Sequence, residues 1–440
     1  MNPLPRRARS AHVGRAARFV SFVAGALAAV VCSWSSVGPA QATEPAAGGP
    51  PFLAASESAT ATVVGVVRKP VHVDLSGFGA ELEIERTLAG AAPGGAAQRI
   101  AWEELAPSRP SRFSEGDRIL VALVPLPSAS IWLQRFPRSP ESAPVLAVAA
   151  DGDAFVRSPD AETVTRLERF LVLDAPGRDA APGASALASL IAGAQPVVLA
   201  TSAVTRLDQI AGLETKLDAD AREQLRTAAL DPHRPRDVRV ALLELFGRRR
   251  LTAFRPTLEQ LAQPGSPLEA DALAALGALD GGLSPEVAER LLTRGDPAVR
   301  VVAVRYVTGP KAEERVAGLV RSDPSPEVRA AATQVIVARR GAGAVQDALP
   351  ALSDPDRSVR AAGAYALGAI GEPAVPALKQ LALTRGPDDA AAAIAALSLA
   401  GKPGAIALVE IAKTHPNPKV RTLAQFALGK APGENHAPQD

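Results

Sequence analysis

The sequence predicts a multidomain protein in which a small all-β barrel or sandwich, with an OB-like barrel as one form of it, precedes an all-α solenoid. Three observations predict this. The chain has 440 residues, more than one ordinary compact domain holds. Runs of β-branched residues fill its first part, whereas helices rich in Ala and Leu fill the rest. Aromatic residues make up only 4%, a composition that suits closely packed short helices.

We divide the chain at the points where the composition changes. The predicted parts are a signal peptide (1–42), a flexible segment (43–54), a β-rich domain with a closing helix (55–173), a linker (174–183), a helical solenoid (184–432) and a disordered tail (433–440).

The leader has the pattern of a secretory signal peptide. Five arginines precede an apolar run of 13 residues, Phe19 to Val31, and residues 40–42 form an A-x-A cleavage site before Thr43. This run is shorter than the roughly 20 residues that a membrane-spanning helix needs. We therefore expect a periplasmic or secreted protein with no integral membrane segment after cleavage.

A lipoprotein is the weaker alternative for the leader. The single cysteine, Cys32, is preceded by Ala29-Val30-Val31, where lipoprotein signals usually place a leucine first and a small residue last. Cleavage after Ala42 would also remove Met1, so the mature chain would contain no sulfur. Without sulfur it could form neither disulfides nor thiolate metal sites.

Charge argues against a nucleic-acid partner. The leader carries five of the 48 basic residues and none of the 46 acidic ones, so the mature chain has a net charge of −3. Residues 43–183 contain 13 basic and 18 acidic groups. A domain with this balance lacks the basic surface that phosphate backbones require.

Six strands are predicted in the β-rich domain from runs of β-branched and alternating residues. They are Ala61–Val67, Ala80–Glu85, Gln98–Trp102, Arg118–Val124, Val145–Ala149 and Ala154–Arg157. A helix from Ala161 to Leu173, with apolar residues at helical spacing, is expected to close the domain.

A period of about 30 residues organises the second half of the chain. Val-Arg pairs recur with the arginines at Arg239, Arg300, Arg329, Arg360 and Arg421, which gives spacings of 61, 29, 31 and 61 residues. Leu268-Glu269 and Ala390-Ala391 fill the two long gaps as degenerate copies. Repeats of this length indicate about seven stacked helical hairpins.

The clearest copy begins at Asp354-Pro355 and ends at Gly371. In it, Asp354 is expected to cap the first helix of the hairpin, while Gly368 and Gly371 permit a tight exit. The pattern D-P-x-x-x-V-R-x-x-A-x-x-A-L-G-x-x-G resembles HEAT repeats of the short, phycobilin-lyase-like type over residues 230–432. This resemblance implies a right-handed solenoid whose second helices line the concave face.

Two sets of residues follow from the repeat pattern. The recurrent arginines are interpreted as structural groups that pair with aspartates or backbone carbonyls of adjacent repeats. A protein partner is expected on the second helices, at Glu286, Glu289, Glu314, Arg315, Lys379 and Lys413.

Catalytic and cofactor motifs are missing from the sequence. It has no G-x-S-x-G, H-E-x-x-H or G-x-x-x-x-G-K, and its histidines are scattered. We therefore predict no catalytic residue, no cofactor and no metal, and a non-catalytic adaptor or scaffold. Two alternatives stay open: a bilin or other chromophore lyase, implied by the resemblance, and an envelope structural or inhibitory protein in which the β-rich domain recognises the partner.

Overall fold

A computed structural model describes residues 52–429, except 73–76, 104–111, 127–143, 151–153 and 195–196. The predicted signal peptide, most of the segment 43–54 and the predicted tail 433–440 lie outside the described residues. None of the described helices is long and apolar enough to cross a membrane.

All six predicted strands are present, and five of them close into a barrel. The strands are β1 (Ala61–His72), β2 (Gly77–Gly90), β3 (Ala97–Glu103), β4 (Arg118–Pro125), β5 (Leu146–Val148) and β6 (Phe155–Arg157). The hydrogen-bonded order is β1-β2-β3-β5-β4, and β1 also pairs with β4. Strands β3 and β5 are parallel, whereas the other pairs are antiparallel. This closed order is that of an OB-type barrel.

Alternate residues of β1 and β4 face two different cores. Val63 and Val121 point into the barrel, where they join an apolar cluster with Trp102 and Phe113. Val64 and Leu120 point outward and join a second cluster, which runs without interruption through the helices as far as Leu279. Because successive side chains of a strand alternate between faces, both faces of the barrel wall are buried at Val63, Val64, Leu120 and Val121.

One helix precedes the barrel, and helices follow it to the end of the described chain. Around the barrel and at the start of the helical region they are α1 (Phe52–Ser58), α2 (Ala161–Leu171), α3 (Ala175–Arg178), α4 (Ala181–Gly193), α5 (Val197–Asp208), α6 (Leu213–Lys216) and α7 (Ala219–Leu230). The stretch predicted as a linker, 174–183, therefore contains a helical turn and the beginning of α4. Asp174 caps this turn by accepting a hydrogen bond from the Gly177 amide.

Seven helices carry the Val-Arg position or its degenerate copy, as the period predicts. These first helices are α8 (Arg236–Arg248), α10 (Glu269–Asp280), α12 (Pro297–Tyr306), α14 (Pro326–Arg340), α16 (Arg357–Ile370), α18 (Pro387–Leu399) and α20 (Pro418–Ala427). Between them lie the second helices, α9 (Arg255–Leu261), α11 (Pro285–Leu292), α13 (Pro310–Ser322), α15 (Val345–Ala348), α17 (Val375–Thr384) and α19 (Gly401–Thr414). Short 3-10 turns precede α9, α15 and α17, and another follows α15.

Helix α1 ties the barrel to the helical region. The Leu53 amide donates a hydrogen bond of 2.9 Å to the Ser202 hydroxyl of α5. Arg206, also on α5, bonds Glu57 at 2.6 Å and Asp179 at 2.7 Å. Since Leu53 is fully buried, the barrel and the first helices share one folded unit.

The helix caps differ in one respect from the sequence prediction. Asp296 and Asn417 cap their helices, but the cap of α16 is Asp356, whose carboxylate accepts from the Ser358 amide. Asp354 lies two residues earlier and binds Arg329. Its carboxylate thus binds the preceding repeat and also accepts a hydrogen bond from the Asp356 amide, but it is not the cap of α16.

Candidate protein-binding surfaces of the repeat array

First and second helices form two layers with different spacing. Each first helix from α8 to α20 packs on the next one, whereas neighbouring second helices pack on each other at fewer steps, α13 on α15 and α17 on α19. The first helices therefore form the more continuously packed layer of the array.

The last three first helices expose four large aromatic or aliphatic side chains. Tyr365 of α16 is 46% exposed, Leu399 of α18 is 42% exposed, and Leu423 and Phe426 of α20 are 36% and 64% exposed. Between Asp389 and Leu399, α18 has no charged residue. Groups of exposed aromatic and aliphatic side chains are typical of interaction sites. We call this set of four residues the apolar face.

Two of the four earlier first helices, α8 and α12, carry a charged side chain at the corresponding position. Glu244 of α8 lies six residues after the valine of its Val-Arg pair, as do Arg305 of α12, Tyr365 and Phe426. Burial raises the pKa of Glu244, and nearby Asp271 raises it further, although Arg248 opposes both effects.

The residues predicted to bind a partner lie on the second helices, where several already form ion pairs. Arg315 contacts Glu289 at 3.0 Å, and Lys379 contacts Glu410 at 2.6 Å. Glu286, Glu314 and Lys413 are exposed. The structure spreads the six residues over α11, α13, α17 and α19 and does not bring them into one cluster.

The recurrent arginines make contacts between repeats and at helix starts. Arg300 binds both carboxylate oxygens of Asp323 at 2.9 Å, and Arg329 binds those of Asp354 at 2.7 and 2.8 Å. Both Arg300 and Asp323 are buried. These arginines act as cross-links inside the array, because a buried bidentate pair is specific in geometry.

The other three arginines bind carbonyls alone among the described residues. Arg239 donates to the Ala229 carbonyl at 2.9 Å. Arg360 donates to the carbonyls of Asp354 and Pro355, and Arg421 to those of His415 and Pro416. In the repeat that contains Glu269 the two charges are exchanged, and the Glu269 carboxylate forms an ion pair with Arg294 at 3.1 Å.

Among the described residues, neither the basic run at 248–250 nor the histidines form a site. Arg248 pairs with Asp208 at 3.1 Å, and Arg249 bonds the Ile210 carbonyl. His72 stacks on Phe78, and the buried His415 accepts a hydrogen bond from the Asn417 amide. Across the described ranges, no group of three or more His, Cys, Asp or Glu is placed to hold a metal ion.

Sequence reasoning missed the apolar face. The available signal was the shared position of Tyr365 and Phe426, six residues after their valines, together with the uncharged stretch of α18.

The comparisons with known proteins agree with the repeat architecture. Residues 312–400 match the family model for HEAT repeats. That match does not separate the phycobilin-lyase-like type from others. No curated protein sequence matches the chain.

One solved structure that matches the chain is that of human deoxyhypusine hydroxylase in complex with glycerol. The two sequences are 20% identical, the match covers 57% of this chain and 96% of the hydroxylase chain, and the TM-score is 0.27. A similarity this low bears on neither fold nor activity. Residues 312–400 are thus HEAT repeats, and stacked helical hairpins continue on both sides of them.

Proposed function

We propose that this chain is an exported, non-catalytic scaffold that holds a protein partner on the first-helix layer of its HEAT repeats. The apolar face carries this proposal. Tyr365, Leu399, Leu423 and Phe426 lie outside the core that the hairpins form with one another. Aromatic side chains at such positions are the residues on which binding energy is concentrated in protein interfaces.

The barrel gives less support to a recognition role of its own. On its outer surface Glu81, Glu83 and Glu85 are already paired with Lys69, Arg68 and Arg118. Neutralised pairs of this kind leave little net field to attract a charged ligand. The repeats therefore remain the better candidate for the binding surface.

The proposal is tested by site-specific photo-crosslinking in the full mature chain. A photoreactive phenylalanine analogue replaces Tyr365 in one variant and Phe426 in another, and a third variant carries it at Ile406. Ile406 is the matched control, because it is 64% exposed but lies on the second helix α19. We expect the same partner protein to be crosslinked from positions 365 and 426 and not from 406.

Crosslinks from position 406 alone would move the binding surface to the second helices. A third outcome is that none of the three positions gives a crosslink, while the partner still binds when the barrel is altered at Arg68 and Lys69. This outcome would reject binding by the first-helix layer and by the barrel surface around these two residues. A visible absorbance that stays with the purified chain would instead favour the lyase interpretation.

Export is tested separately by cell fractionation and sequencing of the mature N-terminus. We expect the chain in the envelope or the medium with Thr43 as its first residue. A cytoplasmic chain that begins at Met1 would contradict the export part of the proposal and leave the binding surface unaffected.

A further inference from the structure

Arg300 and Arg329, the two recurrent arginines that pair with an aspartate of the next repeat, use their guanidinium groups in the same way. In Arg300, Nη1 donates to the carbonyls of Arg294 and Gly295 at 2.8 and 2.9 Å, at the start of its own helix. On the opposite edge, Nε and Nη2 donate to the two oxygens of the Asp323 carboxylate. Arg329 repeats this arrangement with two carbonyls and Asp354.

Arg360 has the first half of this arrangement and lacks the second. Its Nη1 donates to the carbonyls of Asp354 and Pro355 at 2.7 and 2.9 Å. Within the described chain, Nε and Nη2 of Arg360 have no acceptor.

The register of the repeats explains why the carboxylate is missing. Asp323 and Asp354 lie five residues before Val328 and Val359, the valines of the next Val-Arg pairs. The residue five before Ala390, which replaces the valine in the following repeat, is Arg385. The position that should carry an acceptor for Arg360 thus carries an exposed arginine.

We propose that the Nε–Nη2 edge of Arg360 is a docking point for an aspartate or glutamate side chain of a partner protein. The incoming carboxylate takes the place that Asp323 and Asp354 take at the preceding steps. This inference rests on the proposed scaffold function in one respect, namely that the partner is a protein.

Geometry and charge both select a carboxylate. Arg360 is half-buried and held by two carbonyls, so little side-chain freedom is lost on binding. The planar fork of arginine matches the two oxygens of a carboxylate. Arg385 adds a second positive charge, while Asp388 and Asp389, which begin α18, form no ion pair with Arg360 in the described part of the chain.

The first measurement asks whether the site accepts a carboxylate. In the full mature chain, Arg385→Asp places an acidic group at the register position, and Arg385→Ala is the matched control that removes the positive charge alone. We expect the thermal midpoint of Arg385→Asp to exceed that of Arg385→Ala, and this difference to vanish in the Arg360→Lys background. Equal midpoints for the two variants would overturn the geometric basis of the proposal.

The second measurement uses a fluorescein-labelled peptide of alternating Glu and Gly, read by fluorescence anisotropy at low salt. A peptide with Gln in place of Glu controls for the backbone. We expect the affinity for the Glu peptide to fall about tenfold or more in Arg360→Lys and Arg385→Asp, because a bidentate charge-assisted contact is lost or already occupied. Arg357→Ala, an exposed arginine three residues away, should change the affinity less than about twofold.

Two results would reject the site: no binding of the Glu peptide to the unaltered chain, or the same loss in Arg357→Ala as in Arg360→Lys. The photo-crosslinking at Tyr365 does not involve Arg360, so the scaffold function and the carboxylate site can fail independently.

Discussion

Glu269 and Arg294 form the same cross-repeat ion pair as Arg300 and Asp323, with the two charges exchanged. Glu269 occupies the arginine position of its repeat, and Arg294 occupies the aspartate position of the next one. Their atoms approach to 3.1 Å, and the Glu269 side chain is only 8% exposed. The array therefore conserves the pairing at this step, although the residue types are reversed.

Charge reversal tests this equivalence. Glu269→Arg should lower the free energy of unfolding by about 1 to 3 kcal/mol, because it places two arginines together and leaves one largely buried. Adding Arg294→Asp should recover most of the loss, since the repeat then has the ordinary Arg-Asp arrangement. Urea unfolding followed by circular dichroism measures both, and a double variant no better than the single one would contradict the pairing.

Two helical glycines should respond to alanine with opposite signs. In α10, a Cβ at Gly277 would lie 2.6 Å from Cγ of Tyr306, so Gly277→Ala should destabilise the array by about 1 to 3 kcal/mol. In α13, Gly318 has open space around it, so Gly318→Ala should stabilise by about 0.5 to 1 kcal/mol through helix propensity. Thermal midpoints of the two variants provide the comparison.

Acid should weaken the Arg329 cross-link. Burial acts to raise the pKa of Asp354, but hydrogen bonds from Arg329 and from the Asp356 amide outweigh it, so this pKa lies below its ordinary value. A carboxyl group with a lowered folded pKa stabilises the fold above its unfolded pKa of about 3.9 and loses that contribution as the pH falls. Asp354→Asn should therefore reduce stability at pH 7 and flatten its decline below about pH 4, as measured by unfolding at a series of pH values.

Glu244 should show the opposite dependence. Because burial raises the pKa of Glu244, its charged form is less stable in the folded chain than in the unfolded one, and the cost is present at pH 7. Glu244→Gln should raise the thermal midpoint at pH 7 and make no difference in acid, where both side chains are neutral. Glu286→Gln, on the second helix α11, is the matched control and should not stabilise the chain at pH 7, since hydrogen bonds lower the pKa of Glu286.

The strands and the repeat period could be predicted because each depends on local pattern. β-Branched runs such as Ala61–Val67 and the spacing of the Val-Arg pairs need no knowledge of distant contacts. The capping role given to Asp354 shows the limit. Its sequence neighbourhood fits an N-cap, but Arg329, which lies 25 residues earlier, competes for the same carboxylate.

Which helix layer is the more continuously packed also lay beyond the sequence. Charged residues such as Glu314 and Lys413 mark a solvated face equally well on either side of a solenoid. The decision depends on how closely successive helices pack, and that spacing is set by small residues such as Gly247 and Gly368, whose surroundings only the structure gives.

The barrel covers the N-terminal end of the array. A single apolar core runs from Val64 of the barrel to Leu279 of α10. Solenoids need their terminal units covered, and here a globular domain does the covering. Whole hairpins could be duplicated or lost between α12 and α18 with the barrel junction intact, whereas a new hairpin between β6 and α4 would split that core. Changes of length in this architecture are thus confined to the side away from the barrel.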